Sequence, residues 1–233
     1  MPGTTDADRA AQDAAVESSV LGRMSANARA QLLARGTLVH LPSKAFFVRQ
    51  GDAPRCGLLV KGLARRVRTS EDGRDLTLDF ARGGSLLGLT ATVVGPAAAG
   101  VQAVTDCVLL EISVPLIREL AMVDPTVGWA VAELLGVLLR RCVDELLLYA
   151  YGALRTRIER RLIEFACKSP PDTPLLAQLT QQDLAESVGA ARPSVARVLK
   201  QLRDEGAIRS MYGGVLILRP EALATQEPRS DVA

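Results

Sequence analysis

Two arginines five residues apart, Arg192 and Arg197, stand in the stretch AESVGAARPSVARVLKQL from Ala185 to Leu202, with Ser194 between them. A guanidinium fork can grip guanine O6 and N7 with two hydrogen bonds, and a serine hydroxyl suits several base edges. Two solvated surface arginines would look the same in isolation, so the residues around them decide. Val195, Val198, Leu199 and Leu202 recur at helical spacing and point to a shared core, which leaves Arg192, Ser194 and Arg197 facing outward. Ala185 is small where two helices must cross closely, and Gly189, four residues on, supplies a left-handed turn. Thr180 with Asp183 three residues later reads as a capping box for a first helix that ends near Val188. Pro193 suits a first helical turn, where its missing N–H has no intrahelical partner, while Ala191 is a poor cap. Together these positions spell a helix–turn–helix. The segment AIRSMYGGVLIL beyond it reads as a hairpin turning at Gly213-Gly214, with Met211 and Tyr212 near its tip. Thr180, Gln181, Gln182 and Lys200 flank the second helix and suit phosphate contact, with Tyr212 reaching in from the wing.

Little else in the chain offers chemistry. Cys56, Cys107, Cys142 and Cys167 stand far apart and His40 is the only histidine, which argues against a zinc site or an iron–sulfur ligand set. Haem through His40 or a cysteine stays open. So does a thiol switch at Cys142, although a buried cysteine is usually inert. No nucleophile–base pair, metal-ligand spacing or phosphate loop is present, so no enzyme, cofactor or metal is expected. Isolated thiols suit a reducing compartment. The start MPGTTDADRAAQDAA lacks a signal pattern, and no uncharged apolar run reaches membrane-spanning length. A cytoplasmic protein without membrane contact is the expectation. The net charge of +2 excludes a polybasic chain, yet 11 Lys and Arg face 7 Asp and Glu between Gly152 and Arg219. A DNA-facing domain shows that bias, as would a scattered solvated surface.

The elements that position these residues follow from the change of period along the chain. Residues 1–17 are rich in Ala, Asp and Thr and show no apolar face, so a disordered tail is expected there, and another over 226–233. Leu21, Met24, Ala28 and Leu32 mark a short helix. From Thr37 the pattern becomes strand-like, through LLVKG, LARRVRTS, DLTLDF with alternating Leu76, Leu78 and Phe80, and VQAVTDCVLLEIS. Short strands separated by turns about every 8–12 residues predict an all-β barrel or sandwich. After Pro115 the period turns helical, and from Pro125 to about Tyr151 two apolar stripes run side by side. Val131, Leu134, Leu138, Cys142, Leu146 and Tyr149 form one; Leu135, Leu139, Val143 and Leu147 form the other. One stripe could lie on the barrel and the other on a second copy of the helix, or both could share a single larger core. A helix follows over 152–168, and Ser169 to Pro174 reads as a stiff linker.

Over about residues 20 to 220 the chain resembles the Crp/Fnr family of bacterial transcription regulators. The resemblance rests on QGD at Gln50 to Asp52, LVKG at Leu59 to Gly62, EDGRDLTLDF, CVLLEIS and, above all, LTQQDLAESVGAARPSVARVLKQLRDEGAI. It implies an α+β chain: an N-terminal antiparallel, jelly-roll-like β-roll over 18–122, a long dimerisation helix over 123–151 and a winged helix–turn–helix over 152–225. It also implies a homodimer on a near-palindromic double-stranded DNA site, contact with RNA polymerase, and Arg192, Ser194 and Arg197 as base readers. Many members carry a glutamate where Pro193 stands, so the preferred half-site is expected to differ. Cyclic-nucleotide-binding members keep Gly-Glu for the ribose and Arg-Ser for the phosphate. Here Gly88 is followed by Leu89, and Ala97 and Ala98 stand where the arginine and serine belong. A buried phosphate without its arginine would cost roughly several kcal/mol, so cyclic AMP binding of the usual kind is not expected. By the same resemblance Leu87, Gly88, Leu89, Ala98 and Ala99, with Leu138 and Cys142 of the helix, would line an apolar effector pocket or simply be filled core. The alternative function is a small-molecule sensor whose helix–turn–helix meets protein rather than DNA.

Overall fold

The computed structural model describes residues 6–73, 75–167, 175–177, 179–211 and 213–223. They form two compact units, the first holding the described residues up to Arg140 apart from Asp75–Thr77 and the second those three with the residues from Arg141, with a single long helix contributing to each. The first unit opens with helix α1 (Asp6–Glu17), a 3-10 turn (Val20–Arg23) and helix α2 (Ala26–Ala34). The disordered tail expected over 1–17 is therefore corrected: from Asp6 onward it is helix. Ala15 and Val16 are buried in one apolar cluster with Leu21, Leu32 and Leu58. Ala11, one turn earlier, is half-buried against the same cluster, and small alanines on that face give a weak sequence signal. The single helix expected from Leu21 to Leu33 is two pieces, because Ser19 and Ser25 each cap a start, accepting from the amides of Leu21 and Ala28.

Eight strands follow: β1 (Thr37–Leu41), β2 (Phe46–Val48), β3 (Cys56–Lys61), β4 (Ala64–Thr69), β5 (Asp75–Ala81), β6 (Leu86–Leu87), then helix α3 (Leu89–Val94), β7 (Gly100–Ala103) and β8 (Cys107–Ile112). They build two four-stranded sheets, ordered β1-β8-β3-β6 and β2-β7-β4-β5. Strand alternation explains the layering. Cys56, Leu58 and Val60 of β3, Leu110 and Ile112 of β8 and Leu86 of β6 point to the cluster beneath α1 and α2. Leu59, Leu109 and Leu87 point the other way, to Phe47, Val48, Val101 and Ala103 of the second sheet. Residues 56–60 are buried without a break, as a strand covered on both faces requires. In β5 the alternation marks the outer side: Leu76 and Leu78 are exposed, and Ala81 is buried.

Helix α4 (Val114–Val123) is capped by Ser113 and ends at Asp124. There the chain bends by 116° into helix α5 (Pro125–Tyr151). Asp124 fixes the corner, since its carboxylate accepts from the Thr126 amide at 2.9 Å and the Ser25 hydroxyl at 2.5 Å. The start of α5 packs on the first unit through Val127, Ala130, Val131 and Leu134. Further along, Leu139, Val143, Leu146 and Leu147 are exposed by 67%, 46%, 63% and 53%. Both apolar stripes thus lose their cover between Leu139 and Leu147, Leu146 and Cys142 of the one and Leu139, Val143 and Leu147 of the other being exposed.

The second unit contains helix α6 (Leu154–Phe165), strands β9 (Ala166–Cys167) and β10 (Leu175–Ala177), helices α7 (Gln181–Val188) and α8 (Arg192–Asp204), strands β11 (Ile208–Met211) and β12 (Gly214–Ile217), and helix α9 (Pro220–Leu223). Its sheet runs β11-β12-β10-β9. Ile158, Leu162, Phe165, Leu184, Val188, Val195, Leu199, Leu202 and Ile217 are all buried. The linker read at Ser169 to Pro174 and the tail over 226–233 lie outside the described residues.

Candidate nucleic-acid interface

Helix α7 begins as its sequence dictates. The Thr180 hydroxyl accepts from the Asp183 amide at 3.1 Å, and the Asp183 carboxylate accepts from the Thr180 amide at 2.8 Å. The helix ends on Gly189 at φ 61°, ψ 40°, a conformation costly for any residue with a Cβ. Helix α8 starts at Arg192 with no side-chain cap on Ala191 and with Pro193 in its first turn. Val195, Val198, Leu199 and Leu202 turn inward, so the remaining face is fixed.

That face carries Arg192, Arg197 and Lys200, all exposed, with Ser194 half-buried. At about 100° per residue, Arg192 and Arg197 lie about 140° apart around α8, so they serve two edges of the helix. Arg197 shares its side with Lys200, three residues on. Arg192 turns instead toward the wing and lines a cleft of about 200 Å³ with Gln181, Ser210, Met211 and Gly213. The Thr180 hydroxyl is committed to the cap, and the Gln182 amide donates to Glu186 at 2.9 Å; Gln181 is half-buried at the cleft. Tyr212 lies outside the described residues.

Charge is sorted within this unit. Arg155 is paired with Glu159 and Glu205, Arg160 and Arg161 with Glu145 and Glu164, and Arg157 donates to the Val188 carbonyl. Arg203 donates to the Ser210 hydroxyl at 3.0 Å and ties the wing to α8. Arg155 is held well above the usual arginine range, chiefly by its hydrogen bonds to Glu205 and then Glu159. By contrast Arg192, Arg197, Lys200 and Arg209 have no ion pair among the described residues, and all four are exposed. Arg209 escaped the reading of the sequence, because one arginine on a short strand carries no periodic signal. Cations held toward solvent without an ion-pair partner are what a polyanion needs.

The residues expected to line an effector pocket have different surroundings. Leu87 and Leu89 are almost fully buried, but in two different clusters on opposite sides of a sheet. Gly88, between them, has φ 76°, and a Cβ there would stand 1.9 Å from the Arg55 carbonyl; glycine is required by close approach of backbone. Ala98 is exposed, Ala99 and Leu138 are half-buried and Cys142 is exposed on α5. Leu87 and Leu89 part company because β6 ends at Leu87 and α3 begins after the left-handed Gly88. A cleft of about 390 Å³ lies elsewhere, against Phe46, Arg49, Gln50, Thr69 and Glu71. Ala97, buried, and Ala98, exposed, stand where the family resemblance places the arginine and serine for a cyclic phosphate, and they offer neither charge nor hydroxyl. His40 is exposed on β1.

Comparison with known proteins agrees with this architecture. Residues 38–124 match the cyclic nucleotide-binding domain, and residues 156–225 the Crp-like helix-turn-helix domain. The chain is 28% identical over 185 residues to the cAMP-activated global transcriptional regulator CRP of Salmonella typhimurium, covering 76% of this chain and 87% of that one. Among solved structures, a CRP/FNR-family transcriptional regulator from Thermus thermophilus superposes with a TM-score of 0.68 at 25% identity, over 80% of this chain and 96% of that one. The c-di-GMP responsive global regulator CLP of Xanthomonas campestris shares the fold, with a TM-score of 0.70 at 22% identity, over 83% and 99%. No single helix among the described residues is long and apolar enough to cross a membrane. Both domains are matched, in the same order and over most of the length of those regulators: the chain belongs to the Crp/Fnr family of transcription regulators.

Proposed function

We propose that the chain works as a homodimer in the cytoplasm, reads a near-palindromic DNA site and contacts RNA polymerase, and that it responds to an effector other than cyclic AMP or to none. The observation that carries this reading is the sorting of charge: the arginines of α6 are spent on internal acids and carbonyls, while Arg192, Arg197, Lys200 and Arg209 are left to solvent. Arg192, Ser194 and Arg197 meet base edges. Lys200, Gln181, Gln182 and Arg209 lie against phosphates, with the capped start of α7 beside them. The exposed leucines of α5 support pairing with a second copy, which carries two α8 helices to successive major grooves about 34 Å apart. Leu87 and Leu89, already packed, support a regulator without an apolar ligand at that place.

The test is fluorescence anisotropy on a palindrome selected from a random library, with a salt titration. Affinity should fall steeply with salt, as counterion release requires. Arg197→Ala should relax preference at one base pair by about 1–3 kcal/mol. Unchanged base preference would refute the role of Arg197, and salt-insensitive or absent binding would refute the DNA reading.

A further inference from the structure

The last carbonyls of a helix have no intrahelical partner, and those of α7 lead straight into the turn at Gly189. Ser187 and Val188 are fully buried, so water cannot serve them. Other helices do. The Ser187 carbonyl accepts the Tyr149 hydroxyl at 2.5 Å and Arg161 Nε at 3.2 Å, and the Val188 carbonyl accepts Arg157 Nη1 at 3.0 Å. Cations at this end also answer the helix dipole. Arg161 is only 3% exposed. Burial pulls its pKa down, but the charges of Glu164 and Glu145 and the bond to Tyr149 outweigh it and hold the guanidinium charged. Glu145 accepts from Arg161 at 2.9 Å and from Arg160 at 2.8 Å. The Arg157 guanidinium lies 5.6 Å over the Tyr149 ring, whose edge is 3.7 Å from where a Gly189 Cβ would be. Glu145 and Tyr149 are one turn apart at the end of α5.

We propose that Tyr149, Arg157 and Arg161 are positioning residues that cap α7 from outside, clamp the turn before α8 to the end of α5, and so set the reach of the recognition helix. The proposal rests on the DNA reading above. If two copies of α5 pair, the distance from the dimer axis to each α8 is transmitted through this clamp as well as through α6. Rigid reach is what lets a dimer distinguish half-site spacings; base contacts do not supply it.

The test uses the full-length chain, well below its unfolding temperature. Affinity is measured for the selected palindrome and for one with its half-sites moved apart by a single base pair. Tyr149→Phe keeps the ring and removes one hydroxyl donor per protomer. Affinity for the matched site should fall about tenfold, with little change for the misspaced site, so that discrimination shrinks while salt slope and base preference persist. Arg157→Met should act in the same direction. A merely structural clamp would lower the melting temperature and leave spacing discrimination at its wild-type value; that result overturns the proposal. Hydrogen exchange gives a readout without DNA. In Tyr149→Phe, the amides of Gly189 and Ala190 should exchange faster together with the last turn of α5, and unchanged exchange there also overturns the clamp. If the wild-type chain binds no DNA, the functional reading fails, and exchange alone decides the clamp.

Discussion

Replacing Gly189 by alanine isolates what the turn between α7 and α8 requires. The residue sits at φ 61°, ψ 40°, where an L-residue is disfavoured by about 1–2 kcal/mol. A Cβ at this position would have Tyr149 Cε1 at 3.7 Å as its nearest neighbour, an ordinary contact. Sterics therefore add nothing, and the backbone alone sets the penalty. Alanine also narrows the unfolded ensemble, which offsets about 0.4–1 kcal/mol. The net loss should be about 1 kcal/mol, smaller for Gly189→Asn, whose side chain tolerates the left-handed region, and larger for Gly189→Val, which is β-branched. The measurement is native-state hydrogen exchange in rising denaturant on peptides from 179–211, which reports the free energy of this unit rather than of the whole chain. The expected order is Gly, Asn, Ala, Val. An alanine variant as stable as wild type, or an asparagine variant below alanine, would refute the argument from backbone conformation.

Three further outcomes follow from the rest of the molecule. Leu146→Glu should raise the dimer dissociation constant at least about a hundredfold in analytical ultracentrifugation, since a buried leucine is worth about 1.5–3 kcal/mol and a dimer carries two; an unchanged constant would place the interface elsewhere. Cys56 is fully buried and its thiol is pushed up to about 12, mainly by burial, so iodoacetamide at neutral pH should leave it unlabelled until denaturant is added, by peptide mass spectrometry. The Glu111 carboxyl is held below its usual range by the hydrogen bonds of Arg55, at 2.8 Å to each oxygen, and by its charge, against the opposing pull of burial. A depressed folded pKa gives stability that is full above the unfolded value of about 4.3 and is lost as pH falls through the lower folded value. The urea midpoint of Arg55→Met should therefore lie below wild type at pH 7, and the gap should narrow as pH falls through the lowered folded value; a constant gap would contradict the pairing.

The winged unit was legible in the linear chain because its signals are local. A capping box needs Thr180 and Asp183 three apart, a left-handed turn needs Gly189, and an inward stripe needs Val195, Val198, Leu199 and Leu202 at helical spacing. Each is decided within about a dozen residues. The strands were legible for the same reason, with turns at regular intervals between short alternating runs. Helix α1 was not, because the residues it packs inward, Ala11, Ala15 and Val16, are small, and the cluster they join, with Leu58 and Leu110, stands far along the sequence.

The effector pocket shows where local reading stops. Leu87 and Leu89 are two residues apart and both apolar, yet they enter different clusters, because a strand ends and a helix begins at Gly88. Arg209 and the clamp of Tyr149, Arg157 and Arg161 on α7 were equally silent, since a hydrogen bond between residues 26 to 38 apart leaves no pattern. Helical period and turn chemistry are local, so the order of residues was enough to settle which side chains turn outward on α8 and which family the chain resembles. Charge pairing is settled by neighbours in space. Folding was needed to show which of the many arginines are paired with acids or hydrogen-bonded to carbonyls, and which are left for a polyanion.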